Sequence, residues 1–273
     1  MTSSPRSLLL LVTGTGTSIG KTHLAVALVH AVQALGHSAA GFKPIESGVG
    51  GPEATDFDRL RDASTFHVKP SIRPVRALPA PISPHLAAAD AGTTIELSEL
   101  FSAVTALQSL VDVLVLELPG GLFSPLSPTL VNGDVARVLR PTATWLVAPD
   151  RLGVLHDVGA ASRAAAADGI GIDGIALAPP AAPDASTGRN FAELPLVTRV
   201  VHRVTIPRVA APEALAADAS VATILKVSLH RVHQPAALQT MPDVTDLGED
   251  RVVGDDDDDG AAPSLVPDDI AKT

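Results

Sequence analysis

The sequence of 273 residues predicts an α/β fold, in which a mostly parallel sheet is covered by helices on both faces. Three observations lead to this prediction. Short apolar runs recur along the chain, as expected of strands that are buried on both faces. Segments with helical periodicity separate most of these runs. The first apolar run is followed by a glycine-rich turn and then directly by a helical pattern.

This first strand, turn and helix form the element around which the chain is organised. Leu8–Val12 is apolar, residues 13–22 read Thr-Gly-Thr-Gly-Thr-Ser-Ile-Gly-Lys-Thr, and the helical pattern of His23–Leu35 ends at Gly36. Glycines allow the main chain to wrap a phosphate closely, and the N–H groups at the start of a helix point toward it. The element therefore predicts a nucleotide phosphate site and a fold like that of the phosphate-loop (P-loop) NTPases.

The end of the turn supplies the chemistry of such a site. Lys21 adds a positive charge, and the Thr22 hydroxyl can reach a magnesium ion. The usual pattern G-x-x-x-x-G-K-[ST] requires glycine where this chain has Thr15, and here Gly14 and Gly20 are six residues apart. An ordinary glycine-rich turn is the alternative, but the flanking strand and helix favour the phosphate site.

The remaining elements follow in order. Further strands are predicted at residues 38–45, 111–118, 142–148, 172–178 and 204–209. Further helices are predicted within residues 50–62, with Thr55 as N-cap, at 97–110, 152–167 and 213–225, and from 83–85 onward, after an irregular proline-rich stretch at 70–84. The pattern fades beyond Ser228, so we predict one P-loop α/β domain over residues 1–228 and a tail over 229–273.

Composition limits the classes of protein. The chain contains no cysteine, which excludes disulfides and thiolate chemistry and is consistent with a cytoplasmic protein. The N-terminal apolar run is short and leads into a Gly-Lys-Thr turn, unlike a signal peptide. No apolar run reaches the roughly 18 residues of a membrane span. We therefore expect a cytoplasmic protein with no membrane partner.

The net charge of −10 is concentrated in the tail. Residues 240–273 hold eleven acidic and two basic side chains, which leaves a charge of about −1 on the rest of the chain. A nearly neutral body and an acidic tail both disfavour a nucleic-acid partner. The run Asp255–Asp259 predicts a solvated, disordered acidic tail, with metal binding as the alternative.

Polar residues at predicted strand ends extend the candidate site. Pro44 removes a backbone donor and ends the second strand, so Lys43 and Ser47 lie at its carboxyl end, where parallel sheets bind ligands. Asp56 falls in the first turn of the next helix, where the helix dipole also favours a carboxylate. Glu117 ends an apolar strand, and burying an acid there is costly without a partner such as magnesium.

Six segments carry a resemblance to a known family. They are residues 14–22 (Gly-Thr-Gly-Thr-Ser-Ile-Gly-Lys-Thr), 43–48 (Lys-Pro-Ile-Glu-Ser-Gly), 55–56 (Thr-Asp), 83–85 (Ser-Pro-His), 117–126 (Glu-Leu-Pro-Gly-Gly-Leu-Phe-Ser-Pro-Leu) and 151–156 (Arg-Leu-Gly-Val-Leu-His). In the order and spacing of these segments the chain resembles dethiobiotin synthetase, the penultimate enzyme of biotin synthesis, from about residue 8 to 225. No single segment is specific for this family, but the combination of all six is.

The resemblance implies a magnesium- and ATP-dependent ligase. One amine of 7,8-diaminononanoate would form a carbamate with carbon dioxide, and a carbamate oxygen would attack the γ-phosphate of ATP. The second amine would then close a cyclic urea on the carbamic–phosphoric anhydride. The implied partners are the diamine, carbon dioxide and a nucleoside triphosphate, and the family works as a homodimer.

The resemblance also implies roles for individual residues. Lys21 and Lys43 would be catalytic, because phosphoryl transfer needs charge on the transferring oxygens. Magnesium would be held by Thr22, Asp56 and Glu117. The nucleotide would contact Gly14, Thr17, Ser18, Ile19, Gly20, Lys21, Thr22, His23, Asp56, Glu117 and Gly120. The substrate would contact Ser47, and also Gly153 and His156 at the start of a helix from the partner subunit.

Several positions depart from the family pattern. Its phosphate loop usually has two acids where this chain has Gly16 and Ser18, and Pro119 removes a backbone donor. A purine-reading Asn-Asp pair, a Glu near the base pocket and an Asn at the substrate carboxylate are replaced, respectively, by Ala178-Pro179-Pro180, Ala211 and His156. The triphosphate and metal residues are present, whereas base preference and substrate choice stay open.

Two other functions stay open as well. Because the departures fall where substrates are selected, the chain could be a related P-loop enzyme that acts on another amine or carboxylate. It could also be a partitioning-type ATPase or a catalytically silent paralogue that binds nucleotide, although that ATPase group carries an additional lysine where this chain has Gly16. A glutamine-dependent amide synthase is disfavoured, because its ammonia-producing domain needs a nucleophilic cysteine.

Overall fold

The computed structural model of the protein describes residues 7–230. The predicted tail over residues 229–273 lies outside the described residues except for its first two, so its disorder and its boundary stay predictions. No helix within residues 7–230 is long and apolar enough to cross a lipid bilayer.

Eight strands, nine α-helices and two short 3₁₀-helices, Phe66–Ser71 and Leu194–Leu196, occur in the described part of the chain. The strands are β1 (Leu8–Gly14), β2 (Ala39–Phe42), β3 (Ile45–Ser47), β4 (Arg76–Leu78), β5 (Val113–Glu117), β6 (Ala143–Pro149), β7 (Gly174–Ala178) and β8 (His202–Thr205). The helices are α1 (Lys21–Ala34), α2 (Asp56–Ala63), α3 (Pro84–Asp90), α4 (Leu97–Gln108), α5 (Asn132–Leu139), α6 (Val154–Ala167), α7 (Asn190–Glu193), α8 (Pro212–Leu215) and α9 (Ala219–His230).

Six of the strands form one sheet in the order β2-β5-β1-β6-β7-β8. β1 lies between β5 and β6, and its Leu10 is opposite both Val115 and Ala143. All five pairings are parallel, so the carboxyl ends of the strands meet at one edge of the sheet. In sheets of this kind, that edge receives the loops that bind ligands.

Helices cover both faces of the sheet, and the apolar side chains of the strands pack in three clusters, two of which contain residues of the central strand β1. Leu9 and Leu11 of β1 belong to the cluster that contains apolar residues of α4 and α5. Leu10 and Val12 belong to the cluster that contains apolar residues of α1 and α9. The predicted α/β fold class is therefore confirmed for the described residues.

The second predicted strand is divided in the structure. The sequence predicts one strand over residues 38–45, but Pro44 separates β2 from β3. β3 pairs in parallel with β4 in a separate two-stranded sheet, so the prediction of an irregular stretch at 70–84 is wrong in part. Pro44 has no N–H for the main sheet, and its carbonyl oxygen instead accepts the N–H groups of Val75 and Arg76 at 2.8 and 3.1 Å.

The last predicted helix is divided as well. Residues 213–225 span parts of α8 and α9, which are separated near Asp218. The Asp218 carboxylate accepts the N–H and the hydroxyl of Ser220 at 2.8 and 2.5 Å, and so favours the start of a new helix there. Helix α5 has no predicted counterpart, because its first residues, Asn132 and Gly133, form a dipeptide typical of turns.

Candidate active site

The P-loop connects the end of β1 to the start of α1. The N–H of Thr15 donates to the carbonyl oxygen of Val147 in β6 at 3.0 Å, which ties the loop to the neighbouring strand. Gly20 ends the loop with a φ of 95°, a left-handed conformation that favours glycine. A Cβ at Gly14 would lie 2.5 Å from Ile19 Cδ1 and 3.1 Å from the Val147 oxygen. The glycines therefore allow the loop to lie close against the sheet edge.

Lys21 lies inside the loop and is only 5% exposed. Its ammonium donates to the carbonyl oxygen of Gly16 at 2.6 Å. Burial lowers the pKa of Lys21, and the Glu117 carboxylate opposes this effect. The main chain thus holds the lysine within the loop, as expected of a lysine that meets nucleotide phosphates.

Lys43 follows β2 and is surrounded by three carboxylates. Its Nζ lies 2.6 Å from Asp56 Oδ2, 3.3 Å from Glu117 Oε1 and 3.5 Å from Glu46 Oε1. Burial acts to lower the pKa of Lys43, but the carboxylates of Glu117 and Asp56 outweigh it and raise the pKa. Burial acts to raise the pKa of Asp56, and the ammonium of Lys43 outweighs it and lowers the pKa. Lys43 and Asp56 are therefore both charged at neutral pH.

Glu117 ends β5 and is 1% exposed. The hydroxyl of Thr22 donates to its Oε1 at 3.0 Å, whereas its Oε2 is buried without a hydrogen-bond partner. Burial raises the pKa of Glu117, and Lys43 opposes this effect. A buried carboxylate oxygen without a partner is costly, so this position suits a bound cation.

The oxygen atoms around Glu117 fit magnesium. Thr22, Asp56 and Glu117 offer one hydroxyl and two carboxylates, and magnesium prefers oxygen ligands while it keeps several waters. No group of three or more His, Cys, Asp or Glu side chains within residues 7–230 is placed to hold a metal ion. Thr22, Asp56 and Glu117 would supply part of the coordination sphere, as in sites that phosphate and water oxygens complete.

A cavity of about 680 Å³ brings most of the predicted site residues together. Among them, its walls include Thr17, Ser18, Ile19, Gly20, Lys21, Thr22, His23, Lys43, Ser47, Asp56, Glu117 and Gly120. Gly14 is buried and is not part of the walls. Gly153 and His156 are exposed at the start of α6 and lie outside this cavity of their own chain.

Comparison with known proteins identifies the family. A family model described as "AAA domain" matches residues 9–234. The ATP-dependent dethiobiotin synthetase BioD of Xanthomonas oryzae pv. oryzae (strain PXO99A) is 40% identical over 166 residues, which cover 58% of this chain and 72% of that protein. The protein of the same name from Ralstonia nicotianae (strain ATCC BAA-1114 / GMI1000) is 37% identical over 207 residues, which cover 74% of this chain and 90% of that protein. This chain belongs to the dethiobiotin synthetase family. It is therefore a ligase.

A solved structure agrees with the fold. In the MinC:MinD cell division protein complex of Aquifex aeolicus, one chain aligns with a TM-score of 0.51 and 10% sequence identity, over 86% of this chain and 100% of that chain. At this identity the likeness concerns the arrangement of sheet and helices alone.

The loop after β5 is held in part by Asn132, which the sequence did not indicate as part of a dethiobiotin synthetase site. Asn132, fully buried at the start of α5, donates to the carbonyl oxygens of Pro119 and Gly121 at 2.5 and 2.8 Å. The N–H of Gly121 donates to Ser124 Oγ at 2.8 Å. These bonds fix the turn in which Gly120, with a φ of 66°, faces the cavity. The local signal, an Asn-Gly pair, is typical of turns and does not show that the Asn amide folds back on this loop.

The edge beside β7 lacks the purine-reading pair of the dethiobiotin synthetase family. Ala178 lies against the P-loop, since a Cβ at Gly20 would be 3.2 Å from the Cβ of Ala178. Pro179 and Pro180 offer no N–H, and the Arg208 guanidinium donates to the carbonyl oxygen of Pro180 at 2.8 Å. This edge therefore offers a nucleotide base fewer hydrogen-bonding groups than an Asn-Asp pair would.

Proposed function

We propose that this chain is an ATP- and magnesium-dependent dethiobiotin synthetase, which closes a cyclic urea on 7,8-diaminononanoate with carbon dioxide. The observation that carries this proposal is that Lys21, Lys43, Thr22, Asp56 and Glu117 all line one cavity in a chain of this family. Phosphoryl transfer asks a protein mainly for positioning and for charge on the phosphate oxygens, and this set of groups can provide both.

The proposed reaction forms three bonds in turn. One amine of the diamine adds to carbon dioxide and loses a proton, which gives a carbamate. A carbamate oxygen then attacks the γ-phosphorus of ATP, the bond to the bridging oxygen breaks, and ADP leaves. The second amine attacks the carbonyl carbon of the resulting carbamic–phosphoric anhydride and loses a proton, and inorganic phosphate leaves as the ring closes.

Charged groups of the cavity would act on the phosphates. Lys43 is protonated because carboxylates surround it, so it would act as a fixed positive charge and not as a base. Lys21 would add a second charge from within the loop. Thr22, Asp56 and Glu117 would hold magnesium, which supplies further positive charge to the phosphate oxygens.

Substrate contacts form the second part of the proposal. The hydroxyl of Ser47 is buried without a hydrogen-bond partner at the cavity, and it would bind the diamine or its carbamate. Gly153 and His156 would bind the substrate carboxylate. Since both lie outside the cavity of their own chain, they would act across the interface of a homodimer. The enzyme would be cytoplasmic, with no nucleic-acid or membrane partner.

Phosphate release tests the proposal. Purified protein is supplied with magnesium, bicarbonate and each common nucleoside triphosphate, with and without the diamine. Release that depends on the diamine, with dethiobiotin detected by mass spectrometry, is the expected result. Lys21→Ala should slow release by at least about 100-fold with an unchanged melting temperature. Exposed Lys226 on α9 provides the matched control, Lys226→Ala. Wild-type rates for Lys21→Ala would contradict the proposal.

A related P-loop enzyme with another amine or carboxylate substrate is the second candidate. Two departures from the family pattern favour this candidate, because they lie where substrates would bind. Pro119 lines the cavity, and Ala178 of the Ala178-Pro179-Pro180 segment lies against Gly20 of the P-loop. Phosphate release that needs a different amine would support this candidate. A catalytically silent paralogue would bind nucleotide and would release no phosphate with any amine or carboxylate that is tested.

A further inference from the structure

Glu46 is a buried acid whose role the sequence did not indicate. It lies in β3 with 8% exposure, and its Oε1 and Oε2 accept the N–H groups of Asp56 and Phe57 at 3.0 and 2.7 Å. Its Oε1 is also 3.5 Å from Nζ of Lys43. One carboxylate therefore contacts both the lysine that follows β2 and the first turn of α2, the helix that carries Asp56.

Two observations distinguish Glu46 from the other acids around Lys43. Asp56 and Glu117 line the cavity, whereas Glu46 does not. Both oxygens of Glu46 already accept main-chain N–H groups of α2, so this carboxylate is bound within the protein. Among these three acids, Glu46 is the one that contacts Lys43 from outside the cavity, so a cation bound in the cavity would leave this contact in place.

Helix α2 does not need Glu46 in order to begin. Thr55 and Asp58 already form a capping box, in which the Thr55 hydroxyl accepts the N–H of Asp58 at 3.1 Å and the Asp58 carboxylate accepts the N–H of Thr55 at 3.2 Å. The two bonds to Glu46 therefore add a link between α2 and β3. That link lies next to the pair formed by the Asp56 carboxylate and the Lys43 ammonium, whose nearest atoms are 2.6 Å apart.

We propose that Glu46 is a positioning residue for the phosphate and magnesium site. It holds Lys43 and the start of α2 together, so that Lys43 and Asp56 face the cavity at the spacing that a magnesium–nucleotide complex requires. This inference rests on the proposed function. Groups that orient metal ligands in this way typically affect metal affinity or activity by 10- to 100-fold when they are changed.

The test is a magnesium titration of nucleotide binding, which does not depend on turnover. Full-length Glu46→Gln keeps the side-chain shape and removes the charge. We expect it to raise the magnesium concentration for half-maximal binding of ATP, measured by calorimetry, by about tenfold. We also expect a lower kcat in the diamine-dependent reaction. Glu53→Gln, in the exposed loop before α2, is the matched control and should titrate as the wild type does.

Asp58→Asn separates positioning from helix stability. It weakens the capping box of the same helix without touching Lys43, so it should lower the melting temperature and leave the magnesium titration unchanged. If Glu46→Gln behaves in this way too, Glu46 is only structural and the inference is overturned. Should Glu46→Gln fail to fold, Glu46→Asp keeps the charge at a shorter reach, and a wild-type titration in folded Glu46→Asp would equally overturn it.

ATP binding by Lys21→Ala shows whether a negative result overturns only the role of Glu46 or the proposed function as well. If Lys21→Ala loses ATP binding while Glu46→Gln titrates as the wild type does, only the role of Glu46 is wrong. If the wild-type protein binds no ATP in the presence of magnesium, or Lys21→Ala binds it unchanged, the proposed function is wrong and the role of Glu46 is overturned with it.

Discussion

Asp56 is held by one side-chain contact and one main-chain contact. Its carboxylate lies 2.6 Å from the ammonium of Lys43, while its own N–H donates to Glu46 at 3.0 Å. Lys43 lowers the pKa of Asp56 against the effect of burial, so the carboxylate is ionised well below neutral pH. An ionised oxygen beside the P-loop is what magnesium binding needs.

Asp56→Asn should therefore raise the magnesium requirement steeply. The amide keeps the size of the side chain and loses the charge, so we expect the magnesium concentration for half-maximal phosphate release to increase by at least about tenfold. A magnesium titration of the steady-state rate measures this. Asp62→Asn, at an exposed position of the same helix, is the control. An unchanged titration for Asp56→Asn would count against its assignment as a ligand.

Gly174 lies at a position where one added carbon atom would destabilise the fold, outside the candidate active site. A Cβ there would lie 2.3 Å from Trp145 Cζ3, and Trp145 is fully buried between strands and α9. We expect Gly174→Ala to lower the free energy of unfolding by about 1–3 kcal/mol through overpacking. Chemical denaturation measures it. Gly171→Ala, where a Cβ would meet no atom within 4 Å, is the control, and equal losses in both variants would contradict this explanation.

Most site residues could be predicted because they belong to short local patterns. The P-loop and the polar ends of apolar strands indicate Lys21, Thr22, Lys43 and Glu117. Glu46 and Asn132 could not be predicted in the same way. Their partners lie 10 to 13 residues away in the chain and meet them only after folding. Tertiary contacts of this kind leave no periodic trace in the sequence.

At the scale of elements, the length and hydrophobicity of each strand or helix decided whether the sequence predicted it. β1, β5, β6 and β7 are almost completely buried, and continuous apolar runs indicate such strands clearly. β4 has three residues, Arg76–Leu78, and is partly exposed, so it gives no periodic pattern. The N-terminus of α2 was predictable because Thr55 is a favoured N-cap residue, and its hydroxyl does accept the N–H of Asp58.

Thr55→Ala should remove the side-chain N-cap of α2. Losing the hydroxyl leaves the N–H of Asp58 without this partner, so the free energy of unfolding should fall by about 1 kcal/mol. Urea denaturation followed by circular dichroism measures the change. Thr105→Ala, at an exposed position within α4, should be neutral or slightly stabilising, because alanine is the better helix former. A wild-type unfolding midpoint for Thr55→Ala would show that the cap contributes little.

At the scale of the whole molecule, α9 belongs to the core of the domain. Its Val221, Ile224 and Leu225 are buried in the same cluster as Leu10 and Val12 of the central strand. The buried hydroxyl of a serine in α9 also accepts the indole N–H of a tryptophan in β6 at 3.2 Å. Residue 228, the predicted boundary, lies inside the range of this helix, which the structure describes as far as residue 230. A shortened chain that keeps the fold must therefore include at least residues 219–230.

Two truncations separate the contribution of α9 from that of the acidic segment. Removing residues 231–273 should leave the melting temperature and the rate of phosphate release nearly unchanged, because that segment is highly charged and the apolar clusters on both sheet faces are built from residues within 7–230. Removing residues 219–273 should prevent stable folding. Each buried aliphatic side chain of α9 contributes about 1.5–3 kcal/mol, so the loss of three approaches the 5–15 kcal/mol that stabilises a typical domain. Thermal unfolding and activity of both truncated proteins measure this, and a marked loss of either after removal of only residues 231–273 would show that the acidic segment supports the fold or the site.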